Sequence, residues 1–202
     1  MSTAVAQRRL SVEEYLSLDA ETDEGRYEYL DGRVWLLAGA SPDHNLVKDN
    51  IQGELYSVLR PRGCRSFTSD QRVKISETRY VYPDVVVLCG EPEYTDESPS
   101  LVNPELLVEV TSESTSDRDH QEKLEAYLNL ESLREYWIAS PSRALITQYV
   151  RRGDEWVVRS VADRDARLRC DALDVGLPLD AIYALVDTDD APAEAGEDEG
   201  SE

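Results

Sequence analysis

The sequence predicts a single α/β domain in which antiparallel strand pairs and helices intermix around one sheet. Three observations predict it. At 202 residues, with 41% hydrophobic and 31% charged residues, the chain fits one domain with a sizeable core. Short valine-rich runs bounded by Pro, Gly and Asn read as strands, and they are interspersed with longer stretches whose apolar residues recur at helical spacing. There is no internal repeat, so the elements belong to one unit rather than an array.

Residues 1–10 read as a flexible N-terminal arm, residues 11–186 as the folded domain and residues 187–202 as a disordered acidic tail. Ser11-Val12-Glu13-Glu14 has the pattern of a capping box and opens a helix of about eight residues. Residues 26–30 and 33–37 are two short strands joined by Asp31-Gly32, a strong hairpin signal. A helix is expected over residues 42–59, with Leu46, Val47, Asn50, Ile51, Leu55 and Val58 on one stripe; Pro61 and Gly63 stop it. Strands are expected near residues 64–67, 71–76 and 80–88, the last as one continuous run. After a polar loop, residues 106–111 form a strand, and Ser112 to Thr115 offer caps for a helix ending near Leu130. Residues 135–139, 144–151 and 155–161 alternate like a meander, followed by a short strand at 167–170 and a closing helix near 179–185.

Net charge is −21, which works against non-specific binding to nucleic acid. Residues 187–202 hold eight acidic groups and no basic or aromatic one, leaving −13 on the remainder. No apolar run approaches the ~20 residues that span a bilayer, and the first ten residues lack the apolar core of a signal peptide. A soluble, cytoplasmic protein without membrane partners is therefore expected. Cys64, Cys89 and Cys170 form no C-x-x-C pair, so neither a disulfide framework nor a zinc site is expected, and each should act as a small hydrophobe.

Two carboxylates interrupt apolar runs. Asp84 lies within Tyr80-Val81-Tyr82-Pro83-Asp84-Val85-Val86-Val87-Leu88 and Glu109 within Leu106-Leu107-Val108-Glu109-Val110. A buried carboxylate is costly unless it is paired or binds a metal. Lys123 follows on a helix and is one of only three lysines among 21 basic residues. Two acids on neighbouring strands with an ammonium group in reach could hold a hard divalent cation and a phosphate ester. Glu28, among aromatics on an early strand, is a further candidate acid. His44 at the start of the long helix could hold a phosphate or position water. Structural alternatives stand beside these: arginine could satisfy either carboxylate, and His44 could serve as a cap.

These residues resemble a family. Tyr27-Glu28-Tyr29-Leu30-Asp31-Gly32-Arg33, Ser41-Pro42-Asp43-His44-Asn45 and Tyr82-Pro83-Asp84-Val85-Val86-Val87 look like the opening blocks of the Uma2 family. Leu107-Val108-Glu109-Val110-Thr111-Ser112-Glu113-Ser114-Thr115, the stretch from Asp119 to Lys123, Tyr127 and Glu135-Tyr136-Trp137-Ile138 continue the likeness in order. That family belongs to the restriction-endonuclease-like PD-(D/E)XK superfamily. The resemblance implies a central mixed sheet flanked by helices, with additional antiparallel strands. It also implies an endonuclease that uses Mg²⁺ or Mn²⁺ to hydrolyse DNA, with Asp84 and Glu109 on the metal and Glu28 as an auxiliary acid. The superfamily's usual lysine, two positions after the second acid, falls here on Thr111; Lys123 takes its place from the next helix. Asp119, one turn earlier, could hold that ammonium.

A homodimer, and contact of the acidic tail with a basic partner, are further expectations. Two other readings remain open: a non-catalytic interaction protein on a nuclease fold, and a metal-dependent phosphoesterase with a small substrate. The acid pair with its lysine favours an enzyme, and the net charge favours the alternatives.

Overall fold

The computed structural model describes residues 3–4, 8–21, 25–37, 39–96, 98–111 and 117–189, with backbone alone at 3–4 and 117–122. In chain order the elements are β1 (Thr3–Ala4), α1 (Val12–Glu21), β2 (Tyr27–Leu30), β3 (Arg33–Leu36), α2 (Pro42–Leu59), β4 (Cys64–Thr68), β5 (Val73–Ser76), β6 (Arg79–Val81) and β7 (Val85–Cys89). There follow β8 (Leu106–Val110), α3 (Asp117–Leu128), β9 (Glu135–Ala139), β10 (Ile146–Arg152), β11 (Glu155–Val161), β12 (Arg167–Cys170), β13 (Val175–Pro178) and α4 (Leu179–Ile182). A six-stranded mixed sheet runs β11-β10-β9-β8-β7-β4, a five-stranded sheet runs β1-β3-β2-β6-β5, and β12 pairs with β13. The α/β class is as expected. None of the described helices is long and apolar enough to cross a membrane.

Local chemistry explains the boundaries. Ser11 and Glu14 form the expected capping box: the Glu14 N–H donates to Ser11 Oγ at 3.2 Å, and the Ser11 N–H to Glu14 Oε2 at 2.8 Å. Asp31 and Gly32 both have positive φ, 50° and 92°, the geometry of a tight hairpin turn that matches strand twist. Ser41 caps α2 by accepting the His44 N–H at 3.2 Å, and Pro42 occupies the first turn, where a missing N–H does no harm. The buried stripe of α2 is Val47, Ile51, Leu55 and Leu59; Val58 is exposed, not part of the stripe.

The six-stranded sheet has an apolar layer on each face. Val85, Val87, Leu106, Val108 and Val110 pack toward α2 and α4. On the other face, Val86, Leu88 and Leu107 meet Tyr127 of α3 together with Leu30, Trp35 and Val81 of the five-stranded sheet. Strands β8 and β9 are parallel, joined through α3, as a parallel pair requires a crossover. Burying each such Val or Leu contributes about 1.5–3 kcal/mol, which is why β7 and β8 read as unbroken apolar runs.

Two expectations need correction. The run at 80–88 is not one strand: β6 and β7 belong to different sheets, and the chain crosses between them at Tyr82-Pro83-Asp84. Cys64 and Cys89 are not separate hydrophobes; antiparallel pairing of β4 with β7 sets them opposite one another and they form a disulfide. Cys170 is a free, buried thiol, as expected. Near the ends, Thr3–Ala4 pair with β3, and the Leu10 N–H bonds the Gly32 carbonyl. At the other end, Thr188 is buried against Arg164, and the Asp189 N–H bonds the Ser142 carbonyl. Close contacts with the domain thus extend beyond Val186. The remainder of the acidic tail, residues 190–202, lies outside the described residues, as do the caps expected at Ser112 to Thr115.

Candidate active site

Glu28 stands in the middle of β2, which is hydrogen-bonded on both edges, by β3 and by β6. Its side chain is only 5% exposed. Its Oε1 accepts the Tyr82 N–H at 3.2 Å and the Lys123 ammonium at 2.8 Å. That first bond explains the strand break. With its N–H turned to Glu28, Tyr82 leaves the ladder, and Pro83 has no N–H to continue it.

Asp84 is therefore presented from the crossing between the two sheets. Val85 faces Val108 in the antiparallel β7–β8 pair, so the next position opposes Asp84 to Glu109. The Asp84 carboxylate takes the place of a missing strand carbonyl: Oδ2 accepts the Val110 N–H at 2.8 Å. Its other oxygen lies 3.0 Å from His44 Nε2 in the first turn of α2.

Glu109 shares with Leu107 the face of β8 that looks toward α3. There Tyr127 donates its hydroxyl to Glu109 Oε1 at 2.6 Å, and Lys123 Nζ lies 3.6 Å from the same oxygen. Lys123 and Tyr127 are one turn apart on α3, so one helix face delivers both donors. The expected pair between Lys123 and Asp119 falls on a side chain outside the described residues; the described partners of Lys123 are Glu28 and Glu109.

Electrostatics follow from this crowding. Burial pushes the Glu109 carboxyl up to about 7; Lys123 opposes the rise, Asp84 and Glu28 add to it, and the Tyr127 hydroxyl works against it. For Lys123, burial alone would favour the neutral amine, yet Glu109, Glu28 and Asp84 hold its pKa above the ordinary lysine value. The Tyr127 hydroxyl is raised well above 10, first by burial and then by the acids. It therefore stays a hydrogen-bond donor.

Glu28, His44, Asp84, Glu109 and Lys123 line one cleft of about 480 Å³, whose walls also include Ser41, Asn45, Lys48, Ser69, Tyr82 and Thr111. Glu28, Asp84, Glu109, Lys123 and His44 are all brought together there. Among the described residues, no group of three or more His, Cys, Asp or Glu side chains is arranged as a ready-made metal cage. The donor set nevertheless fits a hard divalent cation. Mg²⁺ is commonly held by one or two carboxylates with water in its other positions. Three acids against two lysines also leave negative charge that such an ion would balance. Sequence reasoning gave Tyr127 no role, although its spacing from Lys123 pointed to it. Tyr82 and Lys48 were missed because their places depend on the strand break and on the docking of α2.

The arrangement has relatives. Residues 12–181 match the Uma2 family, described as "Putative restriction endonuclease". Two proteins of Synechocystis sp. (strain ATCC 27184 / PCC 6803 / Kazusa) are similar along most of their length. Uncharacterized protein sll1609 is 31% identical over 171 residues, 83% of this chain and 96% of its own. Uncharacterized protein slr1290 is 29% identical over 177 residues, 87% of this chain and 92% of its own. The fold matches the crystal structure of a putative nuclease belonging to DUF820 from Anabaena variabilis ATCC 29413, with a TM-score of 0.70. That match is 16% identical and covers 86% of this chain and 97% of the other. Its nuclease-like fold and a family match that takes in every candidate site residue lead to one conclusion: the chain belongs to the Uma2 family of putative restriction endonucleases.

Proposed function

We propose that this protein is an endonuclease that hydrolyses DNA phosphodiester bonds with Mg²⁺ or Mn²⁺. The observation that carries the reading is the meeting of Glu28, Asp84, Glu109 and Lys123 on the wall of one cleft. Folding alone does not require three carboxylates and an ammonium group to share a half-buried surface, and desolvation makes that grouping costly.

In this reading Asp84 and Glu109 hold the cation, and Glu28 keeps Lys123 in place through the 2.8 Å bond. When bound, the ion would supply Lewis-acid polarisation of a phosphoryl oxygen and an oriented water made more acidic than bulk water. Lys123 keeps its proton and offers a fixed positive charge where negative charge builds on the phosphoryl oxygens. His44 orients Asp84 through the 3.0 Å contact, and Tyr127 orients Glu109. Thr111, at the usual position of the superfamily's lysine, lines the cleft without charge, which leaves the cationic role to Lys123.

A second reading, a phosphoesterase with a small substrate, is favoured by the net charge of −21, since a long polyanion is repelled by such a surface. Incubation with supercoiled plasmid in Mg²⁺ or Mn²⁺ divides the two. Nicking or linearisation by the wild type, lost in both Asp84→Ala and Glu109→Ala, supports the nuclease. Intact plasmid together with hydrolysis of a small phosphodiester would move the assignment to the second reading. Calorimetric titration with the cation, wild type against Asp84→Ala, tests the metal site separately. Absence of binding by the wild type would refute both readings.

A further inference from the structure

Two of the chain's three lysines line the same cleft, although arginine supplies 18 of its 21 basic residues. Lys123 is accounted for by its two carboxylate partners. Lys48 is not. It stands on α2 one turn beyond His44, and Ser41, His44, Asn45 and Lys48 all line the cleft, at the spacing of one helix face. Its side chain is only 17% exposed. The described ion pair is with the adjacent Asp49 at 3.6 Å, and that carboxylate is 68% exposed. Neighbouring residues on a helix do not face one another, and a pair at such a distance whose carboxylate stands in solvent contributes little. No described ion pair joins Lys48 to Glu28, Asp84 or Glu109.

An ammonium group drawn into a cleft, with no close ion-pair partner described there, is suited to an anion that arrives from solution. We infer that Lys48 binds a backbone phosphate of the nucleic-acid substrate, next to the one that is cleaved. The inference rests on the nuclease reading above and deepens it. Lysine suits the task because a compact point charge on a flexible stem meets a phosphate from any side, without demanding the geometry of a guanidinium fork. The α2 N-terminus on the same wall adds a weak positive field. On a chain of net charge −21, binding of a polyanion needs such local points of attraction, and contact with the backbone carries no sequence preference of its own.

The test is binding of a fluorescein-labelled DNA duplex, followed by anisotropy over a KCl series in Ca²⁺, with wild type, Lys48→Gln and Lys48→Arg. Lys48→Gln keeps most of the buried stem, and its melting temperature establishes that it folds. Losing one phosphate contact should lower the slope of log K against log salt by about 0.9 and weaken binding about eightfold near 0.1 M salt. The loss should be equal for unrelated duplex sequences, and Lys48→Arg should restore the slope. A folded Lys48→Gln with the wild-type slope overturns the inference while the nuclease reading stands. A wild type that binds no DNA at any salt overturns both.

Discussion

Raising the pH of the metal-free protein should strip a proton from Glu109 and destabilise the fold. In the unfolded chain this carboxyl titrates near its ordinary value of 4.5; in the folded protein burial and the neighbouring acids move it up to about 7. Between those values the folded state holds more protons than the unfolded one, so stability falls as pH rises. The contribution is fully present below about pH 4.5 and lost as pH passes 7. Displacement of that size is worth about 3 kcal/mol at most, and coupling to Lys123 and Asp84 spreads it over the cluster. The assay is urea denaturation in EDTA at several values from pH 5 to 8, for wild type and Glu109→Gln. The mutant carries a neutral amide and should lack that portion of the slope, so the difference between the two curves isolates Glu109. With Mg²⁺ present the decline should flatten, because a cation favours the ionised carboxylate. Parallel curves for wild type and Glu109→Gln would refute the reasoning.

Three further outcomes follow from the same contacts. Lys123→Ala should lower turnover at least about a hundredfold and leave metal affinity nearly intact, while Lys123→Arg rescues poorly; a Lys123→Ala enzyme that cleaves at the wild-type rate would remove Lys123 from the mechanism. Asp84→Asn should stay within about 1 kcal/mol of wild type without metal, because an amide oxygen can still accept the Val110 N–H, whereas Asp84→Ala orphans that donor and costs about 1–3 kcal/mol; chemical denaturation measures both. Glu135→Ala should destabilise by about 3–5 kcal/mol with or without divalent cation, since it removes the acceptor of several buried donors; a stabilisation by Mg²⁺ that disappears in this variant would instead tie Glu135 to metal.

Glu135 and Glu109 show how far the sequence reaches. Each is an acid on an apolar strand; the sequence marks out Glu109, flanked by apolar residues on both sides, and gives Glu135, which follows Arg134, no role. In the fold, Glu135 is completely buried and accepts bonds from Trp137, Gln148 and the Ala172 N–H, with the Cys170 thiol beside it. Its charge is satisfied by the protein, so it is a structural hub. Glu109 has a hydroxyl and a more distant ammonium, and two other acids close by. Its charge is left for something else to satisfy.

Local chemistry alone determined much of the rest. The capping box at Ser11, the Asp31-Gly32 turn, the span of α2 and the three-stranded meander all depend on residues near in sequence, whose backbone preferences act wherever the chain goes. Asp84, Glu109 and Lys123 stood out in the sequence as two acids in apolar runs and a scarce lysine, but their meeting depended on the crossing at Pro83 and on the docking of α3. Tertiary structure decided what sequence spacing cannot express. The break at Pro83 required a carboxylate from β2 to draw the Tyr82 N–H out of the ladder. The Cys64–Cys89 disulfide required β4 and β7 to pair in one register across 25 residues. The partners of Lys123 and the burial of Lys48 depended on how α3 and α2 dock against the sheets. Those placements are set by long-range packing and by the desolvation of charges, and both exist only once the chain has closed on itself.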